Sequence, residues 1–88
     1  MTSFDGNISV DGMIIKIENS SSIQLVRCLI IANALSVSLL SVFVESISVE
    51  YESEIIQVKM KKGNGKYAPA ISFIADSALG HEVNVIFP

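Results

Sequence analysis

The chain is poor in the residues that build most small reactive sites. Among its 88 residues there is one cysteine, Cys28, and one histidine, His81. One cysteine excludes an intrachain disulfide, and one histidine excludes any metal site that needs two imidazoles. Charge is scarce as well: six Lys and Arg against nine Asp and Glu give a net charge of −3. That balance gives no strong nucleic-acid signal and argues against anionic membrane surfaces, which need concentrated Lys and Arg. In MTSFDGNISVDG no basic segment precedes an apolar run, so no secretory leader is expected. The triplets Asn7-Ile8-Ser9 and Asn19-Ser20-Ser21 then read as chance matches to a glycosylation signal. A small domain held without disulfides suits a reducing compartment, and a cytoplasmic location is the expectation.

Apolar surface is what the chain has in quantity. Half of its residues are hydrophobic and 17% are charged, a composition too apolar for a disordered chain. Its length makes a single domain, 1–88, near the lower limit of chains that fold without staples.

Local signals place the first elements. Asp11-Gly12 stands between two apolar runs, and both residues tolerate positive φ, so a two-residue hairpin turn is expected there. Such a turn pairs Val10 with Met13, Ile8 with Ile15 and Gly6 with Ile17, all on one face. Ser21 followed by Gln24 fits a capping box, which predicts a helix from about Ser22.

The segment IQLVRCLIIANALSVSLLSVF, 23–43, carries one charge and is long enough to cross a bilayer. Yet positions 20, 24, 27, 31, 34, 38, 41 and 45 step by three and four residues, as one helical stripe does, and Arg27, Ser38, Ser41 and Glu45 share that stripe. The flanks lack the Lys and Arg clusters that orient a span. A long helix lying on a sheet is therefore preferred to a membrane span; a helix ending near Ser36, with VSLLSVFV already strand, is the alternative boundary.

Beyond it, 46–52 and 55–61 alternate apolar and polar residues. A turn at Ser53-Glu54 would pair Tyr51 with Ile56, Val49 with Val58 and Ile47 with Met60. After Gly63-Asn64-Gly65, residues 68–75 and 82–87 read as two further strands, with Pro69 marking an edge. The fold class is thus α+β: one long apolar helix packed on a curved antiparallel sheet, in the order ββαββββ. In architecture this is similar to hot-dog and cystatin-like domains, with a β-grasp arrangement as the second option.

Few residues offer chemistry. Lys61, Lys62 and Lys66 flank the glycines, with Tyr67 beside them as an aromatic able to stack a base. The spacing is not that of a phosphate loop, and the segment reads first as a solvated turn and second as a contact for an anionic partner. Glu50, Glu52 and Glu54 form an acidic counterpart, read first as a solvated face and second as a docking site for a basic partner. His81, with Asp76 or Glu82, has no nucleophile in a recognisable context beside it, and Cys28 lies in an apolar setting. No catalytic residue, metal site or cofactor is expected.

The functional expectation is a small non-enzymatic protein-binding or regulatory module, of inhibitor or immunity type, with a possible protein partner. It should also form a homodimer, because a helix apolar around most of its circumference cannot be buried by one thin sheet. Two alternatives remain: a hot-dog-like acyl-ligand enzyme or carrier using Asp76, His81 or a Glu for proton transfer, and a small membrane-associated protein.

Overall fold

The hairpin turn forms as the sequence demands, with Asp11 at φ 49° and Gly12 at φ 84°. In the computed structural model, which describes residues 4–49 and 55–88, it joins β1 (Phe4–Val10) to β2 (Met13–Ser20). Val10 pairs with Met13, Ile8 with Ile15 and Gly6 with Ile17, the register that puts these apolar residues on one face and leaves Ile14, opposite Ser9, on the other. Toward its end β2 bulges at Glu18 and Asn19, where Asn19 has φ 49°.

Helix α1 (Ser22–Val37) starts at a complete capping box. The Ser21 hydroxyl accepts from the Gln24 amide at 3.3 Å, and the Gln24 side chain accepts from the Ser21 amide at 3.1 Å. Its other end is a Schellman closure. The Leu40 amide donates to the Leu35 carbonyl and the Leu39 amide to that of Ser36, with Leu39 left-handed at φ 61°. The helix therefore stops before the polar residues Ser38, Ser41 and Glu45 and is shorter than a helix running to 45. A 3₁₀ turn (Ser41–Phe43) leads into β3 (Val44–Val49).

β3 and β4 (Ile56–Met60) pair antiparallel. Their register is Ile47 to Val58 and Val49 to Ile56, two residues away from the register a tight Ser53-Glu54 turn would set. That turn and Tyr51 lie outside the described residues. A slip of two preserves every side chain's face, so the apolar pattern does not oppose it.

The largest departure follows β4. Residues expected as a strand at 68–75 form helix α2 (Ala68–Leu79), after a 3₁₀ turn (Gly65–Tyr67). Pro69 sits in the first turn of α2, where its missing N–H costs nothing. Gly80 ends the helix at φ 77° with its amide on the Asp76 carbonyl. The segment 82–87 supplies only β5 (Val85–Ile86). Among the described residues the fold is α+β with the order ββαββαβ rather than ββαββββ, and with two helices rather than one.

The sheet is also mixed rather than antiparallel. Its strands run β1-β2-β3-β4-β5; β2 lies parallel to β3 and β4 parallel to β5. Each parallel pair is bridged by a helix, the connection parallel neighbours need. Met13, Ile15, Ile47, Ile56 and Val58 point to the helix side and are wholly buried. Cys28, Ile31, Ala32 and Leu35 meet them from α1, and Ile71 and Ala75 from α2. α1 and α2 pack on each other, so the molecule is one sheet under one layer of two helices. Among the described residues no helix is long and apolar enough to cross a membrane.

Candidate binding surface

A helix lying on a sheet normally turns polar residues outward. Here α1 does not. At 100° per residue, Cys28, Ile31, Ala32 and Leu35 define its buried side, and Ile23, Val26, Ile30 and Val37 fall opposite them. Ile23 is 72% exposed and Val37 77%. α2 repeats the arrangement: Ile71 and Ala75 point inward, while Phe73, 68% exposed, points out beside exposed Pro69, Ala70 and Ser77.

The outward positions of both helices thus read Ser22, Ile23, Val26, Ile30, Asn33 and Val37, then Pro69, Ala70, Phe73 and Ser77, without one charge. Their exposed apolar area is on the order of 500 Å2, comparable with the ~300–600 Å2 of the largest patch on an ordinary monomer. Leu39 and Val42, also exposed, extend apolar surface past the end of α1.

The opposite face of the sheet is different in kind. Asn7, Ser9, Lys16, Glu18, Glu45, Gln57 and Lys59 lie on it or at its bulges, exposed or half-exposed, and Lys59 pairs with Glu45 at 3.1 Å. It is a mainly polar face, on which Ser46 is buried and Ile14 half-buried.

The other candidate residues are placed as follows. Lys61, Lys62 and Lys66 are exposed, and Tyr67 is half-buried. Tyr67 stacks on Phe43 with centroids 3.8 Å apart and planes 9° apart, and Lys66 Nζ stands 5.3 Å from its ring centroid. One face of the tyrosine is thereby taken by Phe43. The loop turns through a bond from the Asn64 amide to the Lys61 carbonyl, with Gly63 at φ 86°. A helix follows this loop, where a strand was expected. Glu50, Glu52 and Glu54 lie outside the described residues.

Asp76 and His81 do structural work. Asp76 Oδ1 accepts from the Val83 amide at 2.8 Å, tying the chain after α2 back onto it. His81 is exposed, and its Nδ1 donates to the Leu79 carbonyl at 3.1 Å. Among the described residues neither bonds the other. An open depression of about 530 Å3 beside them is lined by Ser72, Glu82, Val83, Asn84 and Val85.

Cys28 is buried in the core, and burial pushes its thiol up to about 11, far from the thiolate a nucleophile requires. The described residues hold no group of three His, Cys, Asp or Glu placed to bind a metal.

Asp11 is the polar residue whose role the sequence left unseen. Its Oδ2 accepts from Ser41 Oγ at 2.6 Å and from Ser36 Oγ at 2.9 Å, pinning the hairpin turn to the end of α1. These two bonds, Ser41 first, hold its carboxyl below the usual range. Ser41, expected on a solvent-facing stripe, is buried by this contact.

Set against known proteins, the chain matches no family model, no curated protein and no solved structure, so likeness contributes nothing to its function.

Proposed function

We propose that this chain is a non-enzymatic, self-associating protein-binding module, and that it docks a protein partner on the outer face of its helix layer. The observation that carries this reading is the charge-free outer surface of α1 and α2, with Ile23, Val26, Ile30 and Phe73 in solvent. Interface cores are depleted of charge, and this surface carries none; its one aromatic side chain is Phe73. Phe73 is the natural anchor, being the large aromatic exposed on it. An inhibitor or accessory role, as against a catalytic one, fits a molecule whose titratable groups Asp11, Asp76 and His81 are engaged with the protein itself.

Photo-cross-linking tests the proposal. A photoreactive phenylalanine analogue at position 73 or 26, in the cells that make the protein, should yield a discrete covalent adduct. The same analogue at Lys16, on the mainly polar sheet face, should not. Adducts at 73 and 26 no stronger than at 16 would overturn the reading.

A further inference from the structure

The helix layer is not the molecule's one unpartnered surface: β1 is an open sheet edge. We infer that two copies of this chain pair through β1, antiparallel about a twofold axis at Asn7, extending the sheet across the dimer. The inference deepens the self-association in the proposed function by assigning it to a different surface from the partner-binding face.

The register of the hairpin decides which backbone groups are available. A two-residue turn makes Val10 and Met13 a hydrogen-bonded pair, and pairs alternate from there. Val10, Ile8 and Gly6 therefore spend their amides and carbonyls on β2, while those of Ser9 and Asn7 point outward. Among the described residues nothing bonds these outward groups. Natural edges are commonly blunted by Pro, by charged side chains, by bulges or by extreme shortness. β1 has seven residues, FDGNISV, with neither Pro nor Lys; its one charge, Asp5, and the register shift between Phe4 and Gly6 lie at its start, and Gly6–Val10 pairs regularly with β2. The opposite edge, β5, is two residues long and so already blunted.

The side chains of β1 are complementary to themselves in this register. With Asn7 on the axis, Asn7 faces Asn7 of the partner subunit, and their amides can bond each other. Ile8 then lies beside Gly6 of the partner subunit. Ile8 is 37% exposed because the helix layer leaves this edge partly uncovered. Gly6 offers open space, since a Cβ there would meet nothing within 4 Å. An exposed isoleucine and an empty glycine position meet twice, once on each side of the axis. Ser9 meets Asp5 of the partner subunit; one Asp5 oxygen already accepts from the Asn19 amide at 2.7 Å, leaving the other for the serine hydroxyl. No like charges face each other. Because the axis stands perpendicular to the sheet, both helix layers end on the same side, and the dimer presents two partner faces together.

The test is register-specific cross-linking in a Cys28→Ala background. Asn7→Cys puts two thiols in a directly opposed pair, Cα atoms about 5.5 Å apart, within disulfide reach. Ser9→Cys puts them four residues apart along the strands, roughly 13 Å, beyond reach. Mild oxidation should convert most of Asn7→Cys to a disulfide dimer and leave Ser9→Cys monomeric on a non-reducing gel. Ile8→Lys, at a site 37% exposed and with its fold checked by circular dichroism, should weaken the dimer at least tenfold by sedimentation equilibrium. Equal cross-linking at 7 and 9 overturns the register. A dimer by mass that neither cysteine traps and Ile8→Lys does not weaken overturns the β1 pairing, while self-association in the proposed function survives. A mass of 9.5 kDa at all micromolar concentrations overturns both the pairing and the self-association.

Discussion

Ile71 and Phe73 stand two residues apart, and their substitutions by alanine should differ sharply. In a strand, residues two apart share a face; in a helix they diverge by ~200°. Ile71 is fully buried, so Ile71→Ala removes three carbons from a packed core and leaves a cavity, costing about 3 kcal/mol within the usual ~2–5. At roughly 4–8 °C per kcal/mol for a chain of this size, melting should fall by about 10–25 °C. Phe73 is 68% exposed. The burial it loses on truncation contributes on the order of 1 kcal/mol, and alanine regains about 0.5 kcal/mol in helix propensity. Phe73→Ala should therefore shift melting by only a few degrees. Circular-dichroism melts and urea titrations at low protein concentration, away from any association, decide between them. Comparable large losses for both variants would mean that 68–79 is not the helix described, and the charge-free outer face would go with it.

Three further outcomes follow from single residues. Gly12→Val should lower stability by about 1 kcal/mol or more, because φ 84° is hostile to a β-branched side chain; an unchanged melting temperature would place the hairpin turn elsewhere. Leu39→Gly should raise the melting temperature, since it relieves a left-handed leucine at φ 61° that is 79% exposed and contributes little packing; a fall would mean the Leu39 side chain packs in a way its exposure denies. Asp11 has a lowered folded pKa, so its contribution is present above the unfolded value near 3.8 and is lost as pH falls through the folded one. Asp11→Asn should thus lose stability at pH 7 and flatten the acid side of a stability-versus-pH curve; parallel curves for the two proteins would exclude this linkage.

Much of the fold is legible in the sequence where one signal has one reading. Asp11-Gly12 and its flanking alternation give the hairpin and its register, and Ser21 with Gln24 gives the start of α1. The second helix was hidden because Ile71, Phe73 and Ile74 are strand-favouring residues, whose type outweighed their spacing. Pro69 and Gly80 bracket that helix as a start and a stop signal. The end of α1 carries no glycine: Leu39 occupies the left-handed position, so no residue type announced the stop. The sheet was expected antiparallel although a helix between β2 and β3 carries the chain back to start a parallel neighbour.

The binding surface was only half legible. That α1 is too apolar to be covered by one sheet followed from composition, but the side left open did not. Arg27, Ser38, Ser41 and Glu45 suggested the solvent side; three of them lie beyond the helix, and the open side is Ile23, Val26, Ile30 and Val37. A helix apolar on both sides gives no contrast from which its inner face can be recognised. Lys61, Lys62 and Lys66 are exposed as expected, yet an exposed lysine carries no information about a partner.

Thiol accessibility tests the central claim, that the outer face of the helix layer is a docking surface, most directly. Single cysteines at positions 26 and 73, and a control at Lys16, are introduced with Cys28→Ala and labelled by a small maleimide. Labelling is compared between the isolated protein and the cells that make it. The account predicts fast reaction at all three sites in isolation, and strong protection in cells at 26 and 73 with none at 16. Equal labelling of all three sites inside cells would contradict it.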